Sequence, residues 1–228
     1  MKRYAIIVAG GVGSRFGTTL PKQFVALGGK PMLMRTIDAF YRYDALMEII
    51  VALPSEYVSL WLDLCTTHKF VTPHRVAEGG TTRFESVRNA LFSIPDAKGL
   101  VAVHDGARPL VTQKVIATAF ETAARTGSAI PTIPVTDSIR QLDRNGSHAV
   151  SREQLVAVQT PQTFDLQLLK DAYTTPFSPL FTDDASVVEY RGNEVSLFPG
   201  DVNNIKITHP IDLKTAEWLL AHDDEATD

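Results

Sequence analysis

The sequence is short of the residue types that build disulfides, metal sites and hydrolytic nucleophiles. Cys65 is the only cysteine among 228 residues, so an intrachain disulfide is excluded, and the six histidines are too scattered for zinc-ligand spacing. No Gly-x-Ser-x-Gly elbow or other nucleophile motif is present. We therefore predict no protein-built metal site and no covalent nucleophile, and the scarcity of cysteine favours a reducing, cytoplasmic setting.

Excess positive charge and long apolar runs are also missing. Lys and Arg total 22 against 26 Asp and Glu, a net charge of −4, whereas a nucleic-acid-binding protein usually carries a basic stripe. No run of about 18 uncharged apolar residues occurs, and the apolar run after Lys2 and Arg3 is too short for a secretory signal. We expect no nucleic-acid partner, no membrane association and a cytoplasmic location.

What the sequence does contain is an alternation of apolar runs of strand length with segments of helical period. The strand candidates are Tyr4–Ala9, Glu48–Leu53, Leu100–His104 and Ser128–Pro134. The helix candidates are Met32–Tyr41, Glu56–His68, Arg83–Phe92 and Gln113–Thr126. This order predicts an α/β fold with a mostly parallel sheet in three layers. Ligands of such sheets bind beyond the carboxyl ends of the strands.

One region, Val135–Gln159, breaks the alternation. It is polar, and Asp143–Gly146 (Asp-Arg-Asn-Gly) is typical of a hairpin turn between alternating flanks. The pattern predicts a protruding β-ribbon arm, inserted at about residues 135–159 of a single domain that spans 1–228. A ribbon that cannot bury both faces needs a partner, so we expect a homodimer.

A glycine-rich loop, Val8–Gly17 (Val-Ala-Gly-Gly-Val-Gly-Ser-Arg-Phe-Gly), follows the first predicted strand. Its glycines let backbone N–H groups approach an anion, and Arg15 and Lys22 add positive charge. A P-loop would need Lys after its second glycine, and a dinucleotide fingerprint would need glycine at Phe16. The loop thus favours a polyphosphate site of another type, with a plain glycine turn as the alternative.

A second cluster, His104–Pro109, follows the third predicted strand. Asp105 could orient hydroxyl groups or hold a cation, while Arg108 is suited to phosphate. The alternative is an ordinary loop ion pair between these two residues. His104 continues an apolar strand, and we interpret it as a packed residue without a functional role.

Four further segments carry short motifs, each weak alone: Gly79–Ser86, Thr160–Gln162, Thr182–Ala185 and Asn203–Thr208. In order with the two clusters above, they resemble the 2-C-methyl-D-erythritol 4-phosphate cytidylyltransferase family of the non-mevalonate isoprenoid pathway. The resemblance runs from Ala5 to about Leu220. It implies a Rossmann-like nucleotidyltransferase fold with a dimerisation arm. The implied reaction transfers CMP from CTP to 2-C-methyl-D-erythritol 4-phosphate and releases pyrophosphate.

The resemblance also implies roles for individual residues. The catalytic residues would be Arg15, Lys22 and Lys206. The CTP-binding residues would be Ala9, Gly10, Gly11, Gly80, Thr81, Ser86, Ala107 and Arg108. The acceptor-binding residues would be Asp105, Ser138, Arg152, Thr160 and Thr182. Thr81 replaces an acidic residue of some members, and Ser138 stands where some have threonine. Arg152 matches an arginine that completes the neighbouring subunit's site, although by itself it could be a surface arginine.

Elementary chemistry agrees with this implication. A phosphate attacker is already ionised near neutral pH, so the reaction needs positioning and positive charge rather than a base. We expect Mg²⁺ as the cofactor, bound mainly through the CTP phosphates.

Three other functions remain open. A ribitol-5-phosphate cytidylyltransferase would share the motifs, but that group tends to differ at Gly106–Ala107 and to lack a counterpart of Arg152. A sugar-1-phosphate nucleotidyltransferase would lack the later motifs. A non-catalytic nucleotide-binding module would not need Lys22, Arg108 and Lys206 together.

Overall fold

A computed structural model describes residues 1–10, 20–144 and 146–222 of the chain. The strands are β1 Arg3–Val8, β2 Ala26–Leu27, β3 Lys30–Pro31, β4 Glu48–Leu53, β5 Arg75–Glu78, β6 Leu100–Asp105, β7 Ser128–Pro134, β8 Ile139–Asp143, β9 Gly146–Val150, β10 Val156–Val158, β11 Gln162–Asp165 and β12 Leu197–Pro199. The helices are α1 Met32–Tyr43, α2 Val58–Thr67, α3 Arg83–Phe92, α4 Gln113–Thr126, α5 Leu166–Ala172, α6 Asp184–Tyr190 and α7 Pro210–His222. All four predicted strands and all four predicted helices are present, with boundaries shifted by a few residues at most.

The main sheet has eight strands among the described residues, in the order β10-β7-β11-β6-β1-β4-β5, and β12 pairs with β7. Strand β1 lies parallel to both β4 and β6, and β4 lies parallel to β5. Strand β11 is antiparallel to β6 and to β7, so β6 and β7 run in the same direction. Only β10 and β11 oppose the other six strands, which confirms the predicted mostly parallel sheet.

The continuous apolar runs arise because both faces of the sheet are covered. In β1, Ala5 and Ile7 pack into a cluster with α1, α2 and α4, whereas Tyr4 and Ile6 pack into a cluster with α3 and α5. Successive strand side chains point to opposite faces, so a strand buried on both sides must be apolar at every position. This arrangement is the predicted three-layer architecture.

Strand β11 is not among the predicted strands, because its sequence Gln-Thr-Phe-Asp is short and mostly polar. Its burial nevertheless reaches the level of the core, and Phe164 is fully buried. The polar members are accommodated by specific partners: Gln162 donates from Nε2 to Asp183 Oδ2 over 2.8 Å. Such pairing depends on residues distant in sequence, and composition does not reveal it.

The predicted arm divides into two parts. Strands β8 and β9 form an antiparallel hairpin that pairs Asp143 with Gly146, as the turn sequence predicts, and nearly all of its side chains are exposed. The returning segment differs from the prediction, because Val156–Val158 forms β10 and pairs with β7. The end of the predicted arm is therefore an edge strand of the main sheet. No helix in the described ranges is both long and apolar enough to cross a bilayer.

The burial pattern predicts a large difference between two chemically identical substitutions. Leu91 of α3 is fully buried, whereas Leu46 is 95% exposed. We expect Leu91→Ala to lower the free energy of unfolding by about 3 kcal/mol, because it removes packed atoms and leaves a cavity. Leu46→Ala, the control, should change it by less than about 0.5 kcal/mol. Urea unfolding of both variants measures the difference, and equal losses would contradict the assigned core.

Candidate functional site

Two adjoining cavities lie beyond the carboxyl ends of β1 and β6, where the α/β architecture places ligands. The first, which we call the glycine-loop cavity, has a volume of about 210 Å³ and is lined by Ala9 and Gly10. The second, the Thr160 cavity, has a volume of about 270 Å³. Three charged residues line both: Arg83, Asp105 and Lys206. The geometry suits two ligands that meet at one charged centre.

The glycine-loop cavity brings together most residues implied for CTP. Those lining it are Ala9, Gly10, Gly80, Thr81, Ser86 and Ala107, and the implied catalytic residue Lys22 lines it as well. Ser86 Oγ accepts from the backbone N–H of Gly80 over 3.0 Å and donates to the carbonyl of Thr82 over 2.9 Å. A Cβ at Gly80 would lie 2.2 Å from Cβ of Glu85, so this close approach requires glycine. Gly11 and Arg15 lie outside the described residues.

The Thr160 cavity contains most residues implied for the acceptor. Thr160, Thr182 and the shared Asp105 line it together with Lys206. Arg108, which the resemblance assigns to CTP, lines this cavity and not the glycine-loop cavity. Ser138 and Arg152 line neither cavity; both are exposed, and Arg152 donates to the carbonyl of Thr136 within its own arm. Within one chain, Ser138 and Arg152 therefore do not reach the site, whereas the end of the predicted arm, Val158 and Gln159, lines the Thr160 cavity.

Asp105 is the electrostatic centre of the site. Its carboxylate lies 2.8 Å from Nζ of Lys206, 3.6 Å from Nε of Arg83 and 3.7 Å from Nε of Arg108. Burial alone would raise the pKa of Asp105, but the three cations, Arg83 foremost, hold it well below its usual range. The carboxylate is thus ionised at any physiological pH. Strand alternation explains its direction, because Asp105 follows Val101 and Val103 on the face that α3 covers.

Arg83 is a site residue that sequence reasoning missed. Its two terminal nitrogens donate to Asp184 over 3.0 and 2.7 Å, and Asp184 is fully buried. Tyr173 donates to the same carboxylate over 2.6 Å. Burial would lower the pKa of Arg83, but Asp184 and Asp105 raise it above its usual value. The bidentate pair fixes the guanidinium, and its partner lies 101 residues away, so no local motif could have revealed it.

Backbone carbonyls tie the loops of the site together. Lys22 Nζ donates to the carbonyl of Ile207 over 3.0 Å, and the N–H of Ile207 donates to the carbonyl of Ala107 over 2.9 Å. Arg108 donates to the carbonyl of Asn204 over 2.7 Å. These bonds connect the segment after β1, the loop after β6 and the segment before α7. Lys22 and Arg108 are therefore anchored to segments that are bonded to one another.

His104 is fully buried between these loops, as expected of a packed residue, and both of its ring nitrogens have polar partners. Its Nε2 lies 3.1 Å from the carbonyl of Arg108, and its Nδ1 lies 3.1 Å from Oγ1 of Thr160. Its ring also meets the ring of Phe40 edge-on. Burial lowers the pKa of His104 to about 4, so the imidazole is neutral at physiological pH.

The arrangement favours charge stabilisation over proton transfer. The cavities and their junction are lined by four cations: Lys22, Arg83, Arg108 and Lys206. The neutral imidazole of His104 is fully buried and lines neither cavity. Across the described ranges, no group of three or more His, Cys, Asp or Glu side chains is placed to hold a metal ion. Clustered cations at the end of a parallel sheet are suited to binding phosphate groups.

Comparison with known proteins yields a consistent set of relatives. Residues 4–222 match the model of the 2-C-methyl-D-erythritol 4-phosphate cytidylyltransferase family. A protein of that name from Bacteroides fragilis is 52% identical over 220 residues, which cover 96% of this chain and 100% of the relative. The crystal structure of the enzyme of that name from Francisella tularensis is 30% identical, with a TM-score of 0.81 over 96% of this chain and 99% of that one. The corresponding Thermus thermophilus structure is 32% identical, with a TM-score of 0.75 over 97% and 100%.

The low pKa of His104 predicts a specific pH dependence of stability. The folded-state pKa is about 4, whereas the ordinary pKa of histidine, which applies to the unfolded chain, is 6.5. Between these values the unfolded state therefore binds a proton that the folded state does not. Stability should therefore fall as the pH drops from 6.5 towards 4, by at most about 1.4 kcal/mol per pH unit from this residue. Urea unfolding at pH 7 and pH 5 should show a smaller loss for His104→Gln than for the unsubstituted protein. Equal losses would contradict the buried neutral imidazole.

Proposed function

Since this chain belongs to the 2-C-methyl-D-erythritol 4-phosphate cytidylyltransferase family, we propose that its two cavities hold CTP and 2-C-methyl-D-erythritol 4-phosphate. The enzyme transfers CMP between them, which yields 4-diphosphocytidyl-2-C-methyl-D-erythritol and pyrophosphate. The nucleotide product is an intermediate in the synthesis of isoprenoid precursors. The observation that carries the assignment of the cavities is their junction, where Arg83, Asp105 and Lys206 are shared by both.

The proposed reaction is an in-line displacement. An oxygen of the acceptor's phosphate attacks the α-phosphorus of CTP, and the bond from that phosphorus to the bridging oxygen of the β-phosphate breaks. Negative charge grows on the departing pyrophosphate. Lys22 lines the glycine-loop cavity and Lys206 lines both, so these ammonium groups are positioned to stabilise that charge. Arg15, although outside the described residues, is proposed to join them.

The acceptor is proposed to lie in the Thr160 cavity. Asp105 is the carboxylate that can accept hydrogen bonds from the polyol hydroxyls, and Arg108 supplies positive charge beside it. Ala9, Gly10, Gly80 and Ser86 then shape the nucleotide end of the site. Because the attacking phosphate is already ionised, no residue need remove a proton from it.

Mg²⁺ is proposed to enter with the CTP phosphates. Asp105 already contacts three cations, and the described chain offers no cluster of carboxylates around it. This donor set fits a metal that is bound through substrate phosphates and at most one carboxylate, as is common for Mg²⁺. Bound there, the ion would neutralise phosphate charge.

The arm is proposed to act in a cytoplasmic homodimer. Hairpin β8–β9 exposes nearly all of its side chains, and a two-stranded ribbon is marginally stable by itself. Arg152 and Ser138 lie near its base and reach neither cavity of their own chain. A partner's arm could bring both to the Thr160 cavity, where a guanidinium would suit the acceptor phosphate.

The acceptor can be identified in one assay. With Mg²⁺ and CTP present, we expect a higher kcat/KM for 2-C-methyl-D-erythritol 4-phosphate than for ribitol 5-phosphate, measured as pyrophosphate release. Preference for ribitol 5-phosphate would assign the other cytidylyltransferase activity.

In the same assay, Lys22→Ala should lower kcat by roughly 10²-fold, the scale for loss of one preorganised donor. Lys98→Ala is the matched control, since Lys98 is exposed and lines neither cavity.

The shared site can be tested with mixed dimers. Arg152→Ala and Lys22→Ala should each be nearly inactive alone, because every site then lacks one cation. If Arg152 acts across the interface, a mixed dimer has both defects in one site and none in the other. Subunit exchange, with heterodimers counted by native mass spectrometry, should therefore restore up to half the normal activity per mixed dimer. Verified heterodimers without recovery would exclude the shared site but not the cytidylyltransferase activity.

A further inference from the structure

His104 is a fully buried, titratable side chain that the proposed chemistry does not use. It follows Leu100 and Ala102 on the face of β6 that α1 and α4 cover, and it lines neither cavity. A histidine with no contact to either ligand cannot act on them directly. Its two ring nitrogens nevertheless meet two residues of the site, Thr160 and Arg108.

The partners of the imidazole determine its tautomer. The carbonyl of Arg108 can only accept a hydrogen bond, so Nε2, 3.1 Å away, must carry the hydrogen. In a neutral imidazole the other nitrogen is then an acceptor. Nδ1 therefore accepts from the hydroxyl of Thr160 over 3.1 Å.

This bond uses the only hydrogen of the Thr160 hydroxyl, so the hydroxyl cannot also donate to another acceptor. Thr160 Oγ1 also accepts from the backbone N–H of Asp105 over 3.1 Å. The result is a directed chain from the N–H of Asp105 through Thr160 and His104 to the carbonyl of Arg108. The chain joins β6, the loop after it and the segment before β11, and the Thr160 side chain is almost wholly buried within it.

We propose that His104 is a positioning residue, and that it and Thr160 form a hydrogen-bond chain that fixes the backbone at Asp105 and Arg108. Thr160 then acts on the reaction through Asp105, and its hydroxyl does not donate to the acceptor. The inference rests on the proposed function in one respect, namely that Asp105 binds the acceptor.

Acceptor kinetics of four variants test the chain. His104→Gln can keep an amide donor for Arg108 but has no acceptor atom at the position of Nδ1, which faces Thr160. Thr160→Val removes the hydroxyl at constant shape, and the double variant combines the two changes. We expect each single variant to raise the KM for the acceptor about tenfold or more while the KM for CTP changes little. The double variant should be no worse than the more impaired single variant, since residues in one network are not additive. Thr160→Ser should restore the acceptor KM.

A merely structural role gives a different result. Loss of folded enzyme lowers kcat through the active concentration and leaves the acceptor KM unchanged, and thermal melts show how much enzyme is folded at the assay temperature. An unchanged acceptor KM in His104→Gln would overturn the proposal. Multiplied losses in the double variant would overturn it too, because they would mean that Thr160 donates to the acceptor independently of His104.

A measurement that needs no catalytic turnover tests this inference independently of the proposed function. The ¹⁵N NMR signals of the His104 ring, assigned by their loss in His104→Gln, should report the Nε2–H tautomer at pH 7. A ring with hydrogen on Nδ1 would overturn the chain whether or not the protein is active. Conversely, the expected tautomer in a protein that does not use 2-C-methyl-D-erythritol 4-phosphate would refute the proposed function alone.

Discussion

The ionised carboxylate of Asp105 is the interaction on which the site depends. It lies within 4 Å of cations from three separate segments: Arg83 at the start of α3, Arg108 after β6 and Lys206 before α7. The three cations come from segments far apart in sequence and repel one another, and the carboxylate between them offsets that repulsion. A buried ion cluster contributes little net stability after desolvation, so its consequence is geometry rather than stability. The cations remain close together before any phosphate arrives.

The sequence predicts those features of the fold that follow from local periodicity. Strands β1, β4, β6 and β7 are apolar at nearly every position because helices cover both faces of the sheet. Such an apolar run can be recognised from the sequence alone. Strand β11 could not be predicted from its local sequence, because polar residues such as Gln162 are buried against partners more than twenty positions away. The arm shows both cases: its turn is a local signal, whereas the pairing of β10 with β7 depends on tertiary contacts.

The same limit applies to the site. Short motifs predict Lys22, Asp105 and Lys206, which the structure brings to the junction of two cavities. They do not predict Arg83 or the polar contacts of His104, because Asp184 lies 101 positions from Arg83 and Thr160 lies 56 positions from His104. In both cases the informative feature is a buried polar group with a specific partner, which costs free energy unless it is paired. Only the folded chain reveals the pairing.

The three cations around Asp105 differ in how firmly they are held, and this difference bears on catalysis. Arg83 is locked by the bidentate contact with Asp184, and Arg108 donates to a backbone carbonyl. The Lys206 side chain is 44% exposed, and among the described residues its ammonium pairs with Asp105. A movement of Lys206 would therefore cost one ion pair, while Arg83 and Arg108 would still hold the carboxylate in place. In the proposed reaction, Asp105 would then stay ionised and accessible from the Thr160 cavity for the hydroxyls of the acceptor. Arg83 and Arg108 would preserve the geometry and Lys206 would follow the developing charge, as a proposed displacement without a general base requires.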